Sequence, residues 1–133
     1  MNISSTQKDI QAADSKIYNI LCDFQKVEKF LPPQVQNWKI EGDTCQFDIQ
    51  GIASVKMTIV EKQEFSHLAY RMDNDKNMPL SFAFDIKGHG TSSDLTLNVN
   101  LDVPVFLAPM VKGPVQKVAD TIVEKIKMAV EQA

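Results

Sequence analysis

The segment from residue 104 to residue 133 carries the longest helical pattern of the chain, and it restricts the possible folds more than any other feature. Its apolar residues recur every three or four positions. They are Val111, Val115, Val118, Ile122, Ile126 and Ala129. The segments before it alternate apolar and polar residues, as strands with one covered face do. We therefore predict that this segment forms a long helix that covers the apolar face of a sheet.

Prolines mark the start and an interruption of this helix. Pro104 suits the first turn, where its missing amide has no partner anyway, and Asp102 is placed to cap that turn. The pair Gly113–Pro114 interrupts the pattern, and proline inside a helix costs about 3 kcal/mol and kinks it. We predict a packing half after this break and a movable half before it, in which Phe106 and Met110 could form a gate.

Six segments between residues 35 and 102 alternate apolar and polar residues with a period of two, which predicts six strands. Turn signals at Gly42, Gly51 and residues 88–90 separate some of them. Residues 2–12 predict a further strand at a sheet edge. Because the strands are mostly separated from the long helix along the chain, the expected class is α+β.

Two short helical segments are predicted after the first strand. Asp14 is placed as the N-cap of the first, which runs over residues 15–24. The second ends at Leu31, because Pro32 and Pro33 cannot donate backbone hydrogen bonds and restrict the residues before them.

The composition of the chain excludes several classes of protein. With 133 residues, 44% of them hydrophobic and 23% charged, the chain is expected to form one globular domain over residues 1–133. A net charge of −3 leaves no basic excess for a phosphate backbone, so no nucleic-acid partner is expected. Cys22 and Cys45 have neither CxxC spacing nor a nearby histidine pair, which predicts free thiols.

Nothing in the sequence predicts a targeting signal or a stable membrane anchor. The first residues contain no apolar segment. The longest apolar run, Val103–Val111, is far shorter than the roughly 20 residues that a membrane span needs. We expect a soluble, cytoplasmic protein that is a monomer or a weak dimer.

Thirteen apolar and aromatic side chains are candidates for an interior binding site, from the inward positions of the predicted strands and from the last helix. They are Phe47, Val55, Met57, Tyr70, Met72, Phe82, Phe84, Leu97, Val99, Phe106, Met110, Val118 and Ile122. Such a set forms either a packed core or, in part, an apolar pocket with few polar groups. The methionines would suit an adaptable pocket as well as an ordinary core, so both interpretations stay open.

Tyr70 is the one inward candidate with a polar group. A buried phenol normally finds a hydrogen-bond partner, so its hydroxyl is either a structural donor or a ligand anchor or acid. Trp38 is expected to pack in the core or at its rim rather than to stack on a ligand.

The remaining polar residues do not form a recognisable catalytic or metal site. His67 and His89 lie in turn-like segments without metal-ligand spacing, which predicts solvated loops. Arg71 falls on the outward face, where it should pair with a carboxylate. The predicted outward face also carries Asp48, Asp85, Asp94 and Asp102. We therefore predict no catalytic residues, no metal and no cofactor.

Several local strings, taken in order, resemble those of a known superfamily. They are the string ADSKIY at residues 13–18, LPP at residues 31–33, the hairpin over residues 38–47, and the last strand leading through Asp102 and Pro104 into the long helix. Across the whole chain, this order is similar to the helix-grip superfamily (SRPBCC), which includes START lipid-transfer domains, plant pollen allergens and polyketide cyclase/dehydrase-like proteins. The chain departs from the pollen allergens in lacking their glycine-rich loop, since only Gly51 lies in that region.

The resemblance implies a sheet of seven strands that grips the last helix, with a cavity for an apolar molecule between them. Lipids, sterols, polyketides and quinones are the ligands that the superfamily implies, and some members are cyclases or hydratases. Three hypotheses follow: a binding or transport protein for an apolar small molecule, a cyclase, aromatase or hydratase that uses Tyr70, and a protein-interaction module of the chaperone-activator type. The first is favoured, and an enzyme is less favoured because no catalytic set is visible.

Overall fold

The computed structural model describes residues 2–31, 33, 35–49, 53–74 and 80–131, which form one antiparallel sheet with helices at one face. The strands are β1 (Asn2–Ile10), β2 (Val35–Glu41), β3 (Thr44–Ile49), β4 (Ala53–Gln63), β5 (His67–Asn74), β6 (Leu80–Gly88) and β7 (Ser93–Leu101). The helices are α1 (Asp14–Leu21), α2 (Phe24–Val27) and α3 (Ala108–Glu131), with 3₁₀ turns at Glu28–Phe30 and Val105–Leu107. The predicted strands, two short helices and long helix are therefore confirmed, although the first helix ends at Leu21 rather than at residue 24. The turn predicted at Gly51 and the stop predicted at Pro32 lie outside the described residues.

The sheet has the order β1-β7-β6-β5-β4-β3-β2. Strands β2 to β7 form consecutive hairpins, and β1 returns to pair with β7, so that β1 and β2 are the two edges. The turn between β2 and β3 contains Gly42 at φ 61°, a left-handed conformation that glycine adopts without steric cost. Period-two alternation places one side of each strand on the concave face that the helices cover.

The core lies between this concave face, α1 and α3. Its most deeply buried members come from all three, and each is fully buried: Ile10, Ile17, Leu68, Leu95 and Val123. Alternation along the strands predicted which side faces inward, because each strand buries alternate residues against the helices and exposes the others.

The short helices begin differently from the prediction. The residue before α1 is Ala13, and Asp14 is the first helical residue, with Oδ1 2.7 Å from the amide of Ser15. Asp14 is therefore not the N-cap, although an acidic residue in the first turn still complements the helix dipole. A side-chain cap occurs instead at α2, where Asp23 accepts a 2.9 Å hydrogen bond from the amide of Gln25.

The long helix α3 starts later than predicted and is not interrupted. It begins at Ala108 and continues through Pro114 to Glu131. Pro104 precedes the 3₁₀ turn and provides no side-chain cap, so the capping role predicted for Asp102 is wrong. Pro114 removes only the hydrogen bond to the carbonyl of Met110. Because that carbonyl lies near the exposed start of the helix, water can replace the missing donor and the helix continues.

The buried face of α3 is displaced by about one residue from the predicted stripe. Its buried residues are Ala119, Val123, Ile126 and Val130. Val118, predicted to point inward, is 37% exposed. Two contacts with the edge strand β1 determine this orientation. Ser5 Oγ donates to Asp120 Oδ1 at 2.5 Å, and Gln116 Nε2 donates to the carbonyl of Ser4 at 3.0 Å. The helix thus covers the unpaired edge of β1 as well as the core, which protects that edge from pairing with another chain.

Candidate functional site

The inward side chains of the three central strands are fully buried in one row across the sheet and differ in exposure in the next two rows. One row across β5, β6 and β7 is closed, with Leu68 0%, Phe84 5% and Leu97 2% exposed. In the next two rows, Tyr70 and Leu101 are also buried, at 2% and 5% exposed, whereas the remaining inward side chains are more open. Four of them, which we call the open patch, are only half-buried: Met72, Leu80, Phe82 and Val99.

The register of the sheet makes these four side chains neighbours. Met72 pairs with Leu80 across β5 and β6, and Phe82 pairs with Val99 across β6 and β7. Leu80 and Phe82 are two positions apart on β6 and point to the same side. The open patch is therefore one continuous apolar area on the concave face. Protein interiors are normally filled to crystal-like density, so this inward area is one that the described residues cover incompletely.

One flank of α3 has the same half-buried apolar character. Val111, Val115 and Ile122 are each half-buried. With about 100° per residue, they lie within about 40° of one another around the helix and about 140° from Gln116 and Asp120. Since Gln116 and Asp120 contact β1, the apolar flank points away from that edge. Ile122 packs against the core cluster, as do Met72, Phe82 and Val99 of the open patch.

A chain of aromatic rings lies beside the open patch. Trp38 stacks on Phe47 with ring centres 5.2 Å apart, and its edge meets Phe24 at 6.1 Å. Phe24 lies 6.5 Å from Tyr70, which stacks on Phe82 at 4.5 Å. Aromatic pairs at these separations contribute about 0.5–1.5 kcal/mol each beyond the burial of their area. The rings form a continuous wall that stiffens this side of the interior. Trp38 packs at the rim of the core, as predicted.

Tyr70 is anchored through its hydroxyl group. The side chain is 2% exposed, and Oη donates a 2.8 Å hydrogen bond to the carbonyl of Leu21. Burial raises the pKa of the Tyr70 phenol well above its usual value. Of the two roles predicted for this hydroxyl, the structural donor matches the geometry. Its proton is already committed to a backbone acceptor, so it is not directed at a substrate.

The thirteen predicted site residues fall into three groups. Those buried in the core are Phe47, Val55, Met57, Tyr70, Phe84 and Leu97. Those half-buried on the concave face or on the flank of α3 are Met72, Phe82, Val99 and Ile122. Those exposed are Phe106 at 78%, Met110 at 73% and Val118 at 37%. Leu80 was missing from the predicted site, although it continues the same alternation as Phe82 and could have been included on that signal.

His67 occupies a site that the sequence prediction missed. It is the first residue of β5 and half-buried, so the prediction of a solvated loop is wrong. Its Nδ1 lies 2.7 Å from Asp85 Oδ1, and its Nε2 lies 3.2 Å from Glu61 Oε2. These contacts, first the hydrogen bond with Asp85, raise the pKa of the His67 imidazole. Asp85 is the direct cross-strand partner of His67, so the register of the β5–β6 hairpin would have predicted this contact.

Arg71 and the two cysteines are further polar and thiol side chains that the sequence singled out. Arg71 pairs with Asp73, Nε to Oδ2, at 3.3 Å on the outward face, as predicted. Cys45 is buried, which raises its thiol pKa to about 11, and Cys22 is half-buried; both are free. Among residues 2–31, 33, 35–49, 53–74 and 80–131, no three His, Cys, Asp or Glu side chains are grouped so that they could hold a metal ion.

Two surface depressions lie on the outward side of the sheet, and the larger one shares two residues with the open patch. The larger, of about 790 Å³, includes Arg71, Ser81 and Asn100 in its lining, together with the apolar Val60, Phe82 and Val99. The smaller, of about 480 Å³, includes Lys39 and Lys56. Both carry polar or charged side chains and open to solvent. They do not correspond to the apolar cavity predicted between the sheet and the last helix.

Comparison with known proteins identifies the fold. No family model and no curated protein sequence matches the chain. Among solved structures, a START superfamily protein from Mycobacterium smegmatis superposes with a TM-score of 0.79 at 18% identity, over 98% of this chain and 97% of that one. KanY superposes at 0.78 with 17% identity, over 98% and 97%. Truncated norcoclaurine synthase from Thalictrum flavum superposes at 0.77 with 12% identity, over 100% and 94%. The chain therefore has the helix-grip fold, as predicted.

Proposed function

We propose that this protein binds an apolar small molecule in the cleft between the open patch and the apolar flank of α3. One observation carries the proposal. Met72, Leu80, Phe82 and Val99 are half-buried on an inward face whose neighbouring row is closed. A molecule that covered them would complete the burial that the chain itself leaves unfinished, and each 100 Å² of apolar surface removed from water contributes about 2.5 kcal/mol.

The chemistry of the cleft favours a ligand with few polar groups. All four side chains of the open patch are apolar, and so are Val111, Val115 and Ile122 on the facing flank of α3. Phe82 offers a flat surface stacked on Tyr70, and Met72 can adapt its shape to an irregular ligand. Ligand pockets of this kind fix orientation with a small number of polar atoms. The helix-grip resemblance also implies apolar ligands.

Binding fits the geometry better than the cyclase or hydratase hypothesis. That hypothesis needed an acid or base in the cleft, and Tyr70 was its only candidate. The hydroxyl of Tyr70 donates to Leu21, and burial raises its pKa. A phenol in this state is a poor proton donor at neutral pH and a poorer base.

The proposal is tested by narrowing the cleft. The substitution Val99→Phe adds a ring to the open patch, whereas Val60→Phe makes the same change in the larger depression on the outer side of the sheet, at a position that is 50% exposed. Binding of an apolar fluorophore such as 1-anilinonaphthalene-8-sulfonate is measured by titration, and native mass spectrometry of freshly purified protein detects molecules that co-purify.

We expect Val99→Phe to weaken fluorophore binding about tenfold, which corresponds to about 1.4 kcal/mol of binding free energy. Val60→Phe should leave fluorophore binding unchanged. If the two variants bound the fluorophore equally, or if neither showed saturable binding, the cleft would not be the binding site. Thermal unfolding of both variants establishes that they are folded.

A further inference from the structure

Three large apolar side chains are exposed close together where β7 leads into α3. Val105 is 89% exposed, Phe106 78% and Met110 73%. We call these three residues the apolar tip. Single exposed apolar residues are common on proteins, but a group of them marks a contact surface. The tip is therefore a candidate contact surface.

The position of the tip connects it to the proposed cleft. The 3₁₀ turn Val105–Leu107 follows the last strand, whose end at Leu101 pairs with Leu80 of the open patch. The tip thus follows the end of the sheet that carries Leu80 of the open patch. On α3, Met110 lies about 160° around the helix from the buried Ile126, so it points away from the core.

The charges around the tip identify the partner. Residues 103–119 contain Lys112 and Lys117 and no acidic residue, although the exposed Asp102 directly precedes them and the whole chain has a net charge of −3. Both lysines are exposed. Lys117 follows Met110 by seven residues, about two turns, and therefore shares its face of the helix, whereas Lys112 lies about 160° around the helix from Met110. The nearest following acid, Asp120, is held on the β1 side of α3 by Ser5.

Exposed apolar side chains flanked by lysines match the layers of an anionic membrane surface. Apolar groups enter the boundary between headgroups and acyl chains, while lysines remain in the headgroup layer. We propose that the apolar tip docks this protein reversibly on an anionic lipid surface. This goes beyond the proposed function, because docking by the tip does not depend on an occupied cleft.

A second copy of the chain fits the tip less well. Three side chains of this size expose on the order of 400 Å² together. A stable protein interface buries about 800 Å² on each partner, so the tip alone is too small. The lysines would also face each other in a symmetric pair, which is unfavourable.

No helix in residues 2–31, 33, 35–49, 53–74 and 80–131 is long and apolar enough to cross a membrane. The attachment that we propose is therefore peripheral. It combines shallow insertion of the tip with electrostatic attraction, and both contributions can be varied separately by mutation.

The experiment measures co-sedimentation with large vesicles of phosphatidylcholine alone and of phosphatidylcholine with about 30% phosphatidylglycerol. The double variant Phe106→Ser/Met110→Ser removes the tip. Met128→Ser is the matched control, because Met128 is 53% exposed on the same helix but far from the tip. A second double variant, Lys112→Gln/Lys117→Gln, removes the charges and keeps the apolar side chains.

We expect the wild type and Met128→Ser to bind the anionic vesicles equally, and the tip variant to bind about tenfold more weakly. The lysine variant should lose several-fold on anionic vesicles and nothing on neutral ones, and added salt should weaken wild-type binding. Absence of wild-type binding, or equal binding by all variants, overturns the proposal. Self-association that the tip variant abolishes, without vesicle binding, would also overturn it and assign the tip to a second copy. Fluorophore binding in the cleft is measured on the same variants. It tests the proposed function independently of vesicle docking by the tip.

Discussion

The hydroxyl of Tyr70 donates a 2.8 Å hydrogen bond to the carbonyl of Leu21, the last residue of α1. The final carbonyls of a helix have no partner within the helix. Tyr70 therefore supplies a donor to the end of α1 inside the core, where water is scarce. This single contact joins the centre of the sheet to the first helix across 49 residues of chain.

Replacing Tyr70 with phenylalanine should destabilise the fold without removing ligand binding. The carbonyl of Leu21 would lose a buried donor, at a cost of about 1–3 kcal/mol. The measurement is urea unfolding, in which the midpoint should fall while the slope stays constant. Tyr18→Phe is the control, because Tyr18 is also buried but its hydroxyl has no hydrogen-bond partner in the described part of the chain. A Tyr70→Phe protein of unchanged stability that had lost fluorophore binding would make this hydroxyl a ligand anchor instead.

The orientation of α3 predicts a contrast between two neighbouring valines. Val123 is fully buried, whereas Val118 is 37% exposed. Val123→Ala should cost about 2 kcal/mol through lost burial and an unfilled space, and Val118→Ala about 0.5 kcal/mol or less. Urea unfolding of the two variants measures the difference. Equal costs, or a larger cost at Val118, would contradict the orientation of the helix.

His67 should make the stability of the protein depend on pH. Both ring nitrogens face carboxylate oxygens, and both can donate only when the imidazole is protonated. The pKa of the folded state is raised above 6.5. The stabilisation is therefore fully present below pH about 6.5 and is lost as the pH rises through the folded-state pKa.

The test compares wild type with His67→Gln at pH about 5.5 and about 8, where the stability difference should be larger at the lower pH. An NMR titration of the ring protons should give a pKa above 6.5 for His67. His89→Gln serves as the control, because His89 contacts one carboxylate, Asp94, rather than two. A measured pKa at or below the ordinary histidine value would refute the bridging role.

Ser93 should be important for stability despite its small size. It is fully buried, and its Oγ donates a 2.8 Å hydrogen bond to the carbonyl of Ala12. Ser93→Ala leaves that carbonyl without the donor and should cost about 1–3 kcal/mol. Ser92→Ala, at a half-buried neighbour, should cost less than about 0.5 kcal/mol. Thermal unfolding measures the stability of both variants. Equal losses of stability would contradict the role of the Ser93 hydrogen bond.

Strands and helices could be predicted from the sequence because their signals are local. Alternation identified both sides of β7, and the run of valines and isoleucines identified α3. The half-buried state of Val99 could not be predicted, since it depends on how far α3 lies from β7. His67 was assigned to a loop for a similar reason: its partners Glu61 and Asp85 become neighbours only when β4, β5 and β6 pair in register.

The sequence by itself determined the elements, their order and the inward side of each strand, because spacing along the chain dictates these features. Only the tertiary structure decided how α3 is turned. Gln116 and Asp120 bind Ser4 and Ser5, more than a hundred residues away. These contacts bury Val123 in place of Val118 and leave the other flank of the helix half-buried over the sheet. A helix with apolar residues on several sides has no preferred rotation until such distant partners select one.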